Sequence, residues 1–94
     1  MARASLNGVV LAESAAVETV EGTLYFPRET VRLEHLEPRA TRTVCPWRGV
    51  ATYYDVRVGD RVEPAAAWSY EAPKRRARRL EGAVAFWKGI DVEP

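Results

Sequence analysis

The chain has 94 residues, of which 47% are hydrophobic and 29% charged, and its formal net charge is +1. This length suits one small domain, and the composition is that of a globular protein rather than a disordered one. A net charge so close to zero argues against an overall electrostatic attraction to nucleic acid or to membranes. We therefore predict a single domain spanning residues 1–94.

The cysteine count and the lengths of the apolar runs indicate the cellular compartment of the protein. One cysteine cannot form an internal disulfide, so nothing indicates an oxidising compartment. No apolar run approaches the roughly 18–20 residues that cross a bilayer. The first ten residues lack the apolar segment of a signal peptide. We expect a soluble, cytoplasmic protein without membrane contacts.

The first half of the chain is typical of short hairpins. In "ASLNGVVLAES" an Asn-Gly pair suits a type I′ turn, which would pair Leu6 with Val9 and Ala4 with Leu11. The runs "AVETV" and "TLYF" predict a second pair of strands around the dipeptide "EG". In "PRETVR" the proline can begin a single helical turn.

The second half contains one more hairpin, one helical segment and a last strand. In "ATYYDVRV", "GD" and "RVE", alternation places Tyr54, Val56 and Val58 on one face of a strand. The segment "PKRRARRLEG" predicts a short surface helix that is anchored by Ala77 and Leu80. "AVAFWKGIDV" is predicted as one strand. The sequence thus predicts a mainly β, antiparallel domain with one short helix or helical turn.

Several kinds of site are not supported by the residues present. A structural zinc site needs about four Cys or His ligands, and the chain holds only Cys45 and His35. The glycines fall singly at turns, which is unlike a phosphate-binding loop. Neither Ser14 nor Ser69 lies in the context of a nucleophilic serine. We expect neither a metal nor a cofactor.

Cys45 is the one candidate for a catalytic residue. The flanking Arg42 and Arg48 would favour its thiolate form. The same residue also fits a structural role, because a free cysteine behaves as a small buried hydrophobe. His35, in "RLEHLEP", is expected to lie in a loop or at the surface rather than to act as a ligand or base.

The run "KRRARR", Lys74 to Arg79, places five cations within six residues. Such a cluster could contact phosphates, each contact adding salt-dependent affinity. However, the segment lacks the interleaved aromatic residues of a single-strand binder. The pattern favours a solvated helix face, and we do not expect nucleic acid as a partner.

The aromatic residues leave two interpretations open. In so small a domain most of them must build the core, yet nine large rings are more than a small barrel hides completely. Aromatic walls with a few polar groups also line small-molecule pockets. The rings belong to Tyr25, Phe26, Trp47, Tyr53, Tyr54, Trp68, Tyr70, Phe86 and Trp87.

Four stretches, taken together, resemble a small bacterial family that is known as domain of unknown function 427 and also carries a nucleotidyltransferase-like label. They are "YFPRETVRLEHLEP", "TVCPWRGVATYYDVRVGD", "AAAWSYEAP" and "LEGAVAFWKGIDV", and they follow the family's order. The resemblance implies a β-tent-like fold, in which two antiparallel sheets meet at an angle around a ligand-sized opening. Many proteins of this fold group hold zinc between two Cys-x-x-Cys pairs. This chain has neither pair, so we expect a zinc-free domain.

The motif matches and the aromatic residues together suggest a ligand-binding set. In this hypothesis the rings form a wall, and Arg28 and Arg48 donate to the carboxylate or phosphate of a small molecule. One alternative is an enzyme that uses Cys45 as nucleophile or redox centre. A second is a homodimeric interaction module that pairs through an exposed strand edge. The predicted ligand-binding residues are Tyr25, Arg28, Arg48, Tyr53, Trp68, Tyr70 and Phe86.

Overall fold

The computed structural model describes residues 1–94 and contains nine β-strands and three short 3₁₀ segments. The prediction of a mainly antiparallel β domain with short helical turns is confirmed. The strands are β1 (Ala2–Leu6), β2 (Val9–Ser14), β3 (Glu18–Val20), β4 (Thr23–Tyr25), β5 (Leu36–Cys45), β6 (Gly49–Val58), β7 (Arg61–Ser69), β8 (Val84–Phe86) and β9 (Asp91–Glu93). The 3₁₀ segments are Arg28–Thr30, Leu33–His35 and Arg75–Leu80.

The strands form three antiparallel sheets. Their orders are β2-β1-β9, β3-β4 and β5-β6-β7-β8. The four-stranded sheet buries residues on both faces. One face packs against β1 and β2 over the larger core, and the other is covered by the β3–β4 hairpin and the last 3₁₀ segment.

Alternation along the central strands explains these two faces. Successive side chains of a strand point to opposite sides of the sheet. Tyr54 and Val56 of β6 therefore lie in the larger core, together with Ala67 of β7. Tyr53 and Trp68 pack against the smaller core instead. The predicted alternation of β6 is confirmed.

Both hairpin turns predicted for the first half of the chain are present. Asn7 and Gly8 have φ angles of 50° and 77°, and Glu21 and Gly22 have φ angles of 51° and 82°. A type I′ turn requires such a positive φ at both central residues. These turns follow from local sequence because no distant contact is needed to specify them.

The register of the first hairpin differs from the prediction after its first pair. Leu6 faces Val9 as predicted, but Ala4 faces Ala12 rather than Leu11. The register shifts in β1 just after Ala4, so Leu11 is the extra residue of a β-bulge. Because the Leu11 side chain is fully buried, core packing accounts for the bulge.

The prediction of one continuous last strand is wrong. The segment divides into β8 and β9, which belong to different sheets. The chain turns between them, where Lys88 has a φ angle of 56°. A Cβ atom on Gly89 would lie 2.7–2.8 Å from the carboxylate of Glu63, the far end of a flexible side chain that would have to shift to admit a larger residue.

Both predicted helical segments are present as short 3₁₀ turns. Pro27 precedes the 3₁₀ turn Arg28–Thr30. The basic segment Arg75–Leu80 consists of 3₁₀ turns with a kink at Ala77, and its only buried side chains are the predicted anchors Ala77 and Leu80. His35 ends the second 3₁₀ turn, where its Nδ1 lies 2.8 Å from the Arg57 carbonyl oxygen.

A small polar network closes one end of the larger core. The Glu71 carboxylate accepts hydrogen bonds from the hydroxyl groups of Ser69 and Tyr54, the latter at 3.2 Å. It also accepts one from Arg28 Nη1 at 3.1 Å, and the same nitrogen donates to the Gly82 carbonyl oxygen at 3.1 Å. The Arg28 guanidinium is therefore engaged by internal partners.

This network lowers the pKa of Glu71. Burial alone raises the pKa of the carboxyl, but the Ser69 hydroxyl, the charge of Arg28 and the Tyr54 hydroxyl outweigh it, so the pKa lies below the usual 4.5. A lowered pKa in the folded state stabilises the protein above the pKa of the unfolded state. That contribution is lost as the pH falls through the folded pKa.

We expect Glu71→Gln to lower the free energy of unfolding by about 0.5–1 kcal/mol at pH 7, because the ion pair is half exposed to solvent. The difference from wild type should shrink as the pH is lowered from 7 towards 3, because the wild-type carboxylate takes up a proton as the pH falls through its folded pKa. Urea unfolding at both pH values measures it. Glu29→Gln is the control, since Glu29 is exposed and makes no ion pair. An equal difference at both pH values would show that the charge of Glu71 is not what stabilises the network.

The outer edge of the four-stranded sheet is β5, which was not predicted as a strand. Its pairing with β6 is irregular between Pro38 and Arg42. There Arg42 Nη1 donates to the carbonyl oxygens of Arg39 at 2.7 Å and Thr41 at 2.9 Å. Carbonyl groups that are already bonded to a charged side chain are poor acceptors for another strand, and natural edges use such charges against pairing.

We expect Arg42→Ala to increase self-association, because it frees two carbonyl groups on an exposed edge. The stability of the monomer should change by less than about 0.5 kcal/mol, as is usual for a surface substitution. Light scattering after size exclusion, at increasing protein concentration, measures the mass. Arg32→Ala removes an exposed positive charge outside the sheet and is the control. If both variants have the same mass at every concentration, Arg42 does not protect the edge.

Candidate functional site

Five of the predicted site residues meet on one face of the four-stranded sheet. We call Tyr25, Arg48, Tyr53, Trp68 and Tyr70 the aromatic–arginine cluster. The rings of Tyr25 and Trp68 are perpendicular with centroids 6.2 Å apart, and that of Tyr70 lies 6.4 Å from Tyr25. Tyr53 and Trp68 are 6.4 Å apart at 34°. The cluster is thus a continuous surface of rings.

Strand pairing brings these rings together. Tyr53 of β6 lies directly opposite Trp68 of β7, so their side chains share a face. Tyr70 follows two residues after Trp68 and belongs to the same buried group. Tyr25 ends β4, and the β3–β4 hairpin lays it across the sheet.

Arg48 enters the cluster from the loop between β5 and β6. The loop Pro46-Trp47-Arg48 is closed by the pair Cys45–Gly49, and Gly49 has a φ angle of 117°. The Arg48 side chain is only 16% exposed. Its guanidinium carbon lies 4.6 Å from the centroid of the Trp47 ring, within the range of a cation–π interaction.

The Arg48 guanidinium is only partly satisfied. Its Nη2 atom donates to the carboxylate of Glu21, but its Nε atom is buried and has no hydrogen-bond partner. Burial tends to lower the pKa of Arg48, but a hydrogen bond with the Tyr70 hydroxyl and electrostatic interactions with Tyr25 and Glu21 raise it overall. The cation is therefore held firmly while one of its donors remains free.

The neighbouring phenol of Tyr25 stays neutral. Burial raises the pKa of Tyr25, and the opposing effects of a hydrogen bond with Trp68 and of the nearby Arg48 charge do not cancel that rise. A neutral hydroxyl can both donate and accept a hydrogen bond. The Tyr25 hydroxyl is therefore a neutral polar group within the buried surroundings of Arg48.

Glu21 is a residue that the sequence did not indicate as part of a site. It lies in the β3–β4 turn with a φ angle of 51°, and its side chain is 66% exposed. The sequence predicts the turn, but no local signal connects Glu21 with Arg48, which is 27 residues away in the chain. Its carboxylate has the chemistry that a ligand's anionic group would have at this guanidinium.

An aromatic groove of about 400 Å³ lies next to the cluster. Trp68 and Trp87 meet edge to face in its wall with ring centroids 5.4 Å apart. The indole N–H of Trp87 donates to the Ala65 carbonyl oxygen at 2.7 Å, which fixes that ring. The groove is lined by Gly22, Thr23, Leu24, Trp68, Phe86, Trp87, Val92 and Pro94.

The β3–β4 turn connects the groove with Arg48. Gly22 lines the groove, while the adjacent Glu21 holds the guanidinium. Trp68 is also shared, since it lines the groove and packs against Tyr25. The apolar surface and the cation are therefore neighbouring parts of one region.

Two predicted binding residues lie outside the aromatic–arginine cluster. Arg28 is bonded to Glu71 and to the Gly82 carbonyl oxygen, beside the larger core, so it does not join Arg48 at one anion. Phe86 packs against Phe26 in the larger core with ring centroids 5.8 Å apart, and it also lines the aromatic groove. Arg28 and Phe86 lie on the side of the larger core, whereas the cluster lies on the side of the smaller core. The sequence alone did not show on which side of the sheet each of these residues would lie.

Cys45, the candidate catalytic residue, is half-buried at the start of the loop that carries Arg48. It packs against the smaller core, which contains Tyr25. Its thiol makes no hydrogen bond. A role for Cys45 as nucleophile or redox centre stays a prediction.

Nowhere do three or more His, Cys, Asp or Glu side chains converge in a way that could hold a metal ion. None of the helical segments is long and apolar enough to cross a bilayer.

Comparison with known proteins gives a family but no function. No curated protein matches the chain. A family model described as a domain of unknown function, DUF427, matches residues 1–93, and the short name of this family carries a nucleotidyltransferase label. This match covers almost the whole chain and includes all the stretches on which the resemblance rests. The protein therefore belongs to the DUF427 family.

Proposed function

We propose that this protein binds a small molecule that carries an anionic group, with Arg48 as the anion receptor and the aromatic groove as the site of the apolar part. The observation that supports this most is the state of the Arg48 guanidinium. One of its donors is buried without a partner, and another is held by an exposed carboxylate. A guanidinium can bind a carboxylate or phosphate through two parallel hydrogen bonds, so it has capacity for a second partner.

The free energies of the two contacts at Arg48 favour replacement of Glu21 by a ligand's anionic group. A buried donor without a hydrogen bond costs about 1–3 kcal/mol. Because Nε is buried, a ligand recovers this free energy only if displacement of Glu21 opens a path to that atom. The competing contact with Glu21 is an ion pair with one largely exposed member, and such pairs contribute about 0–1 kcal/mol. A ligand's anionic group can therefore displace Glu21 at little cost.

The groove sets the size and the character of the ligand. Its volume of about 400 Å³ lies within the roughly 300–1,000 Å³ of typical small-molecule pockets. The rings of Trp68 and Trp87 in its wall favour a flat or apolar group. An aromatic carboxylate or an aryl phosphate combines both features.

The experiment is a screen of aromatic carboxylates and aryl phosphates, in which thermal shift and tryptophan fluorescence report binding. The matched amides, which lack the charge, are the ligand controls. We expect the acids to bind and to quench fluorescence, and the amides to bind at least tenfold more weakly. If acids and amides bind equally well, or if neither binds at millimolar concentration, the proposed function is wrong.

We expect Arg48→Ala to weaken the binding of the best acid by about 1.5–3 kcal/mol, the range for hydrogen bonds to charged groups. Arg48→Lys should recover only part of this loss, because lysine lacks the bidentate fork. The free energy of unfolding should change by less than about 1 kcal/mol, since the lost contact with Trp47 is offset by removal of the unpartnered donor. Calorimetric titration and urea unfolding of the same variants measure both quantities. Equal losses of stability and affinity would make Arg48 a structural residue.

We expect Glu21→Gln to tighten the binding of the same acid by up to about fivefold, because it removes the competing carboxylate. Glu18→Gln is the matched control. Glu18 lies on the same hairpin and pairs with Arg79 at 3.3 Å, away from Arg48. Titration of both variants at equal salt concentration measures the effect. If the two variants bind alike, Glu21 does not compete with the ligand.

A further inference from the structure

A second groove lies beside the basic segment Lys74–Arg79, on the side of the β5–β6 loop. The segment is fixed there by two hydrogen bonds. The Lys74 backbone N–H donates to the Arg48 carbonyl oxygen at 2.8 Å, and Lys74 Nζ donates to the Pro46 carbonyl oxygen at 2.6 Å. The groove measures about 340 Å³, and we call it the basic groove; its lining consists of Pro46, Trp47, Lys74, Arg75 and Arg76.

The cations of this segment are not neutralised within the protein. Arg79 pairs with Glu18, but Lys74, Arg75, Arg76 and Arg78 take part in none of the seven ion pairs. All four are exposed. The seven acidic residues in ion pairs are each bound to arginines other than these. A chain with a net charge of +1 thus presents a strongly positive local surface.

The tertiary structure also supplies an aromatic ring that the basic segment lacks. Trp47 is 37% exposed and lines the basic groove, although it precedes Lys74 by 27 residues in the sequence. Arg48 packs over its ring but is not part of the groove lining. The expectation against nucleic acid rested on the near-zero net charge and on the missing aromatic residue, and the placement of Trp47 removes the second of these reasons.

We infer that the basic groove binds single-stranded nucleic acid, with a base against Trp47 and the adjoining phosphates against Lys74, Arg75 and Arg76. Positively charged grooves with an aromatic platform bind single strands with little sequence preference, because every base has a face that can stack. The run of cations continues to Arg78, beyond the groove, which suits a chain of phosphates better than one phosphate.

A single strand fits this surface better than a duplex. The bases of a duplex are stacked on one another, so their faces are not available to Trp47. The protein has no α-helix to place in a major groove. The phosphates of a duplex could still contact the cations. The difference in affinity between strand and duplex therefore measures the contribution of the Trp47 ring.

The test mixes the full chain with a fluorescent thymidylate 12-mer and measures binding by fluorescence anisotropy at 25 and 150 mM salt. The duplex of the same length and thymidine monophosphate are the comparison ligands. We expect the strand to bind at least tenfold more tightly than either, with affinity falling at the higher salt. Equal binding of strand and duplex, equal binding of the mononucleotide, or no binding of the strand at 25 mM salt would overturn the inference.

Substitutions locate the site. Arg75→Ala/Arg76→Ala should weaken strand binding about tenfold or more and reduce the salt slope by about 1.4, from roughly 0.7 per phosphate contact. Trp47→Ala should weaken it about tenfold through lost stacking, and Trp47→Phe should retain most of the affinity. Arg32→Ala/Arg57→Ala removes the same charge away from the groove and should have little effect. If this control weakens binding as much as the groove variant, the attraction is unspecific.

The two proposed sites can fail separately. Arg75→Ala/Arg76→Ala should leave the binding of the aromatic acid unchanged, since neither residue contacts Arg48 or lines the aromatic groove. Glu21→Gln should leave strand binding unchanged, since Glu21 is not part of the basic groove. Thermal unfolding of every variant confirms that a loss of binding is not a loss of fold.

Discussion

The burial of the four-stranded sheet on both faces is the constraint on which the rest of the structure depends. Side chains of β6 and β7 alternate between two cores, so neighbouring residues serve different purposes. Tyr54 helps to close the larger core, whereas the adjacent Tyr53 joins the aromatic–arginine cluster. Because one register sets both faces, a slip of one residue in either strand would exchange core and site.

The two arginines that were predicted as ligand donors, Arg28 and Arg48, have different surroundings in the structure. Arg28 is bonded to Glu71 and to a main-chain carbonyl group, so its charge stabilises the folded chain. Arg48 is more buried, yet one of its donors has no partner. Buried polar groups are rarely left in this state, and each one calls for an explanation, such as local strain, a functional role or a bound water or ion. The imperfect satisfaction of Arg48 is therefore the feature most informative about function.

The loop between β5 and β6 takes part in two different surfaces. Arg48 lies beside Tyr25 and Tyr70 of the aromatic–arginine cluster, while Trp47 lines the basic groove. Gly49 allows the loop to close, because its φ angle of 117° is in a region that other residues rarely adopt. The Cys-Pro-Trp-Arg-Gly motif thus fixes the relative placement of Arg48 and Trp47, which we propose as anion receptor and aromatic platform.

Local sequence determined the turns, the alternation of β6 and the buried anchors Ala77 and Leu80. Each depends on residues close together in the chain, such as a pair that tolerates positive φ or a repeat of period two. The tertiary structure alone decided the break between β8 and β9, the bulge at Leu11 and the separation of Arg28 from Arg48. It also placed Glu21 on Arg48 and Trp47 beside the basic segment. These features depend on packing between residues distant in sequence, and no local pattern of residue types encodes which distant side chains will meet.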